Sequence, residues 1–127
     1  LVLETSAKGG AILVPAFAVG RAQHLLHILS QLRSANRIPE LPIFLDSPMA
    51  IDATDLFCRH KEDHRLSEAD CHAMCKAAIY TRTTDASKAI DRRAGPMVIV
   101  SASGMATGGR ILHHLRRFLP DERSAVL

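Results

Sequence analysis

Tryptophan is absent from this 127-residue chain, and aromatic residues of all kinds make up only 4% of it. A binding mode that depends on many stacked bases is therefore disfavoured. No apolar run reaches membrane-spanning length and no signal-peptide pattern is visible, which argues against a membrane partner. Cysteine is sparse: three residues argue for a reduced, cytoplasmic setting rather than a disulfide framework. Charge of one sign is also in short supply. Sixteen basic residues against 13 acidic ones leave a net charge of +3, which allows a polyanionic partner without demanding one.

Several motifs are missing as well. There is no Gly-x-Gly-x-x-Gly, so no dinucleotide fingerprint, and no Lys-Ser or Lys-Thr after a glycine run, so no P-loop. Neither His-x-His-x-Asp-His nor His-Glu-x-x-His occurs, and the chain shows no catalytic centre of its own. The composition is otherwise that of a globular domain, with 47% hydrophobic and 23% charged residues.

Apolar runs alternate with helix-like segments along the whole chain. Leu1 to Lys8 reads as a helix capped by Gly9-Gly10, and Ala11 to Pro15 as a buried strand. Ala18 to Ala35 reads as a helix with Ala18, Ala22, Leu25, Leu29 and Leu32 on one stripe and Arg21, His24 and Gln31 opposite. Pro42 to Asp46 is a second strand, followed by a helix that Ser47 caps and Pro48 opens. A helix starts at Ser67, Ile79 to Arg82 is a weak strand, and Asp85 to Arg92 is a short helix behind Thr83 or Thr84. Met97 to Ser101 is the clearest strand and Ile111 to Leu119 the last helix. Ala125 to Leu127 looks like a strand just beginning, and the opening at Leu1 lacks a methionine, so the chain reads as a piece of a longer protein. This order predicts an α/β fold: a three-layer, Rossmann-like, mostly parallel sheet with helices on both faces. Whether the helical stretch from Ala50 to Ala78 packs on that sheet or projects as a flap is open.

Three strand exits carry the chemistry, because ligands of open α/β sheets sit outside the carboxyl ends of the strands. The first, Pro15 to Arg21, offers Gly20 and Arg21. Arg21 in a first helical turn opposes the helix dipole, so it serves either a ligand or a carboxylate such as Asp46. The second, Leu45 to Met49, places Asp46 at a strand end and Ser47 at a helix cap. The third, Ser101 to Arg110, combines the hydroxyls of Ser101, Ser103 and Thr107, the backbone amides of Gly104, Gly108 and Gly109, and the charge of Arg110. Such loops before helix N-termini suit phosphates. The basic excess between Arg82 and Arg123 lies in the same half.

Metal candidates are weaker. Cys71 and Cys75 share a helix face, with Cys58, His60, His64 and His72 near in sequence, but the spacing is no zinc-ribbon or finger pattern and half-buried cysteines are the plainer reading. His24 and His27 read as solvated. His113 and His114 diverge by about 100° around their helix and should not chelate one ion together.

The segments Gly9 to Gln23, Leu45 to Ala50, Ser87-Lys88 and Ile99 to Arg110 together resemble the β-CASP family, the RNA-processing and DNA-repair nucleases of the metallo-β-lactamase superfamily. The resemblance spans nearly the whole chain and is nearest to relatives of the polyadenylation cleavage subunit. It implies a β-CASP domain, residues 1–127, that lids a metallo-β-lactamase domain of the same parent chain, with RNA, or DNA, in the cleft between them. The zinc ligands of such a parent lie outside this stretch. No metal or catalytic residue is therefore assigned here, and zinc is expected only in the parent. What the resemblance carries over is the cleft wall: Arg21, Asp46, Ser47 and the loop Ser101 to Arg110, holding phosphates in register. Two rival readings remain, a non-catalytic RNA-binding or scaffold relative and a free-standing nucleotide-binding domain.

Overall fold

The computed structural model describes residues 1–103 and 105–127. Five parallel strands form one sheet in the order β3-β2-β4-β1-β5. They are β1 (Ala11–Ala16), β2 (Ile43–Asp46), β3 (Ile79–Tyr80), β4 (Met97–Ala102) and β5 (Ala125–Val126). The helices between them are α1 (Val2–Ala7), α2 (Arg21–Ser34), α3 (Pro48–Arg59), α4 (Glu68–Lys76), α5 (Thr84–Ile90) and α6 (Ile111–Phe118). No helix among the described residues is long and apolar enough to cross a membrane.

The central strand β4 is apolar without alternation because both of its faces are covered. Val98 and Val100 face one core with Leu26 of α2, Ile51 of α3 and Met74 of α4. Ile99 faces a second core with Ile90 of α5 and Ile111 and Phe118 of α6. The predicted three-layer α/β architecture is thus the one observed. The stretch from Ala50 to Ala78 packs on the sheet, with Ala50, Ile51 and Met74 in the core.

Local signals account for most element boundaries. Ser47 accepts from Ala50 N, Ser67 from Asp70 N and Thr83 from Ala86 N, each as an N-cap side chain. Gly9 turns the chain out of α1 at φ +75°. A Cβ at Gly10 would collide with the backbone carbonyl of Arg123, so glycine is required where β1 begins. The second helix differs from expectation. It starts at Arg21 rather than Ala18, and its most buried leucine is Leu26, with Leu25 only half buried. The reason is Gln23. Its buried carboxamide accepts from Gly20 N at 2.6 Å and shares its amide protons among Ala18 O, Ala50 O and Thr54 Oγ1, which fixes the helix start, while the expected stripe of Ala18, Ala22, Leu25, Leu29 and Leu32 packs on the core.

Candidate functional site

The helices that follow β1 and β2 lie on one face of the sheet, whereas α6, which follows β4, lies on the other. Chains leaving neighbouring strands in opposite directions open a crevice at the carboxyl edge. The three expected junctions all leave that edge, and hydrogen bonds join them. Asp46 and Pro15 lie in register with Ser101 on either side of β4. Ser101 Oγ donates to Asp46 O at 2.9 Å, and Ser103 N donates to Ala16 O at 3.2 Å. Gln23 ties the first junction to the second through Ala18 and Ala50.

A cleft of about 160 Å³ opens there, lined by Asp46, Ser47, Pro48, Ala102, Gly109 and Arg110. Gly109 has φ +79°, and a Cβ on it would sit 2.7 Å from Ala102 O, so this close return of the loop needs glycine. Gly108 faces open space instead. Gly104 lies outside the described residues. Thr107 is exposed and Ser103 half buried. Large apolar side chains are exposed on all three junctions: Phe17 (51%), Val19 (70%), Met49 (67%) and Met105 (79%).

Asp46 and Ser101 are fully buried, so in this conformation they build the wall and do not reach a ligand. Arg21 does not pair with Asp46. It stands exposed, its guanidinium 5.5 Å from the centre of the Phe17 ring. The partner of Asp46 among the arginines is Arg110, which donates to Asp46 Oδ1 at 3.0 Å and also to Thr81 O and Arg82 O. The basic excess is partly spent in the same manner, since Arg82 pairs with Asp52 and Asp55, and Arg123 with Asp121.

Behind Arg110 lies a closed ring of side chains that sequence reasoning missed. Ser87 Oγ donates to Asp46 Oδ2 at 2.6 Å, and His114 Nε2 donates to the same oxygen at 2.8 Å. His114 Nδ1 and His113 Nδ1 each lie 2.6 Å from one oxygen of Asp91. His113 Nε2 closes the ring on Ser87 Oγ at 2.9 Å. The two histidines thus converge through a shared carboxylate, because their side chains bend toward each other until the rings lie 4.0 Å apart. The 100° offset of adjacent residues describes Cβ directions, and a flexible χ1 and χ2 overcome it.

Burial acts to raise the Asp46 carboxyl, but hydrogen bonds from His114, Ser87 and Arg110 outweigh it and hold the group below the ordinary carboxylate range. Asp46, His113 and His114 do bring ligand atoms within 4.8 Å of one another. Those atoms are paired within the ring in this conformation.

A signal for this ring was present in α6. His114 falls between Ile111, Leu115 and Phe118 on the apolar stripe, where an unpaired imidazole would be costly. Ser87 was marked only by the family resemblance, and Asp91 by nothing. Two other readings also change. Cys58 and Cys75 form a disulfide across α3 and α4, where three reduced thiols were expected. His27 is not fully solvated, since its Nδ1 is buried without a partner, whereas His24 is exposed.

Comparison with known proteins adds the following. Residues 22–127 match the sequence profile of the Beta-Casp domain. A protein of Thermus thermophilus named Ribonuclease TTHA0252 is 40% identical over 98% of this chain, which spans 30% of its own length. Probable RNase MJ4 of Methanocaldococcus jannaschii is 33% identical over 99% of the chain and 28% of its own length. Transcription termination factor FttA of Methanosarcina mazei is 29% identical over the whole chain and 21% of its own length. The chain therefore spans less than a third of the length of each of these curated relatives.

Proposed function

From the premise that this chain belongs to the Beta-Casp family, we propose that it forms one wall of the substrate cleft in an RNA-cleaving enzyme. The wall holds RNA phosphates in register, and the phosphodiester bond is hydrolysed by groups outside residues 1–127. The observation that carries the reading is the stitching of three junctions along one carboxyl edge, where Asp46 holds the Arg110 guanidinium against the cleft. Two relatives whose names identify them as RNases support RNA as the substrate class.

On this reading Arg21 and Arg110 supply charge, Ser103, Thr107 and the amides of Gly108 and Gly109 supply hydrogen-bond donors, and the buried Ser47 caps α3 at the cleft edge. Asp46 and Ser101 set the edge on which those donors stand. Gly108 and Gly109 let backbone approach phosphate. Phe17, Val19, Met49 and Met105 face either bases or the remainder of the enzyme across the cleft. Zinc held by residues elsewhere in the parent would supply the activated water. A metallo-β-lactamase domain is the proposed neighbour, and the setting is cytoplasmic.

The test is cleavage of end-labelled single-stranded RNA by the full-length protein, with and without chelator. Cleavage lost on chelation and restored by zinc is the expected result. RNA bound but never cut, with metal supplied, would make this a scaffold relative and reject the catalytic reading. Saturable binding of a mononucleotide with no response to RNA would reject the cleft reading altogether.

A further inference from the structure

Away from the carboxyl edge, the three cysteines of the chain meet in one place. We infer that Cys58, Cys71 and Cys75, with His64 as the fourth ligand, form a binding site for zinc or a similarly thiophilic divalent cation. The three sulfurs lie within 4.8 Å of one another. Cys71 and Cys75 stand one turn apart on α4, and Cys58 stands on the last turn of α3. A tetrahedral zinc at about 2.3 Å from each sulfur holds its sulfurs about 3.8 Å apart, within that spacing.

His64 comes from the segment that joins the two helices. Its Nε2 lies 3.9 Å from Cys71 Sγ, and its ring stacks on Phe57 at 4.1 Å. The stacking orients the imidazole as a supporting contact orients a metal ligand. At present Nε2 donates to Phe57 O and Nδ1 accepts from Leu66 N at 3.3 Å. Ligation moves the ring proton from Nε2 to Nδ1 and releases both contacts.

The backbone spacing also favours a bridging ion. The Cα atoms of Cys58 and Cys75 are 7.1 Å apart. Relaxed disulfides span about 4.4–6.8 Å, and an atom between two sulfurs accommodates the wider separation. Next to the sulfurs is a cavity of about 560 Å³, lined also by Lys61, Glu68 and His72, through which an ion can enter. Three thiolates and a dication carry one net negative charge, and the paired side chains of Lys61 and Glu68 line the same cavity.

The chemistry balances without a redox change at the metal: three thiols release three protons to solvent and a dication takes their place. The Cys58–Cys75 disulfide must first be reduced. A thiol or phosphine reductant supplies two electrons and is itself oxidised, leaving two thiols. The site therefore departs from the expectation that this stretch binds no metal. Its role is to clamp α3 to α4, not to cut RNA.

The experiment uses the full-length protein, reduced with a phosphine, stripped of metal and reloaded with cobalt(II). The expected result is a sulfur-to-cobalt charge-transfer absorption that is lost in both Cys58→Ser and Cys75→Ser. Zinc content should fall by about one ion per chain in the same variants. Both positions are half buried, so they report even where a Cys71 variant fails to fold. His64→Ala should weaken zinc affinity, at least tenfold, and keep the sulfur absorption. No such absorption in the reduced wild type, or zinc content unchanged in both serine variants, would overturn the inference. These readouts follow sulfur ligands and are independent of whether the enzyme cleaves RNA.

Discussion

His114→Ala tests whether the buried ring holds the cleft edge together. His114 has no solvent exposure and joins Asp46 to Asp91 at 2.8 and 2.6 Å. Its loss leaves Asp46, also fully buried, with Ser87 and Arg110 alone, and leaves one oxygen of Asp91 without its partner. Removing one partner of a buried charged pair costs about 3–5 kcal/mol. A domain of this size has about 5–15 kcal/mol in total, so the variant folds in water with a large part of its margin gone. With a urea slope of about 2 kcal/mol per molar, the midpoint drops by about 1.5–2.5 M. The assay is urea unfolding of residues 1–127 followed by circular dichroism, for His114→Ala, Asp46→Asn and the double variant. Because the two residues share one hydrogen bond, the double variant should be less damaged than the sum of the singles, by about 1–3 kcal/mol. A loss under about 1 kcal/mol for His114→Ala, or strict additivity, would refute the ring as a structural element.

Acid should expose the same carboxylate. Asp46 is held below its ordinary value, so the unfolded chain takes up that proton more readily than the native one. Its contribution is complete above about pH 4 and is lost as pH falls through its folded value, and Asp46→Asn should flatten the acid limb of a stability–pH profile. Gly109→Ala should cost about 1–2 kcal/mol for the left-handed backbone alone, before the contact with Ala102 O is counted, and weaken RNA binding. Gly108→Ala, which meets open space, should stay within about 0.5 kcal/mol of wild type by the same unfolding assay. Arg21→Ala should leave stability unchanged, and in filter-binding titrations on the full-length protein it should lower the salt slope of RNA affinity by about one.

The sheet was legible because its strands are short runs of Val, Ile and Leu bounded by Gly, Pro and capping hydroxyls. Ser47 with Pro48, Ser67 and Thr83 each announce a helix start in two or three residues, which is local chemistry. Position along the carboxyl edge was legible too, since parallel topology puts every strand exit on one side. What stayed hidden is long-range pairing between polar side chains. Asp46 and His114 are 68 residues apart, and nothing in either neighbourhood names the other. Gln23 gave no signal for the same reason: its buried partners, Ala50 and Thr54, lie on α3. Arg21 and Arg110 look alike in sequence, each at the foot of a helix, yet one is exposed and the other is 22% exposed and anchored to a buried carboxylate.

The most direct test is to map where RNA touches the full-length protein, with photoreactive uridine cross-linking followed by peptide mass spectrometry. Cross-links concentrated at Phe17 to Arg21, at Ser47 to Met49, and at Met105 and Thr107 are the predicted result. Cross-links confined to the opposite edge of the sheet, around Asn36 to Leu41, with none on those three junctions, would contradict the assignment of this surface to RNA.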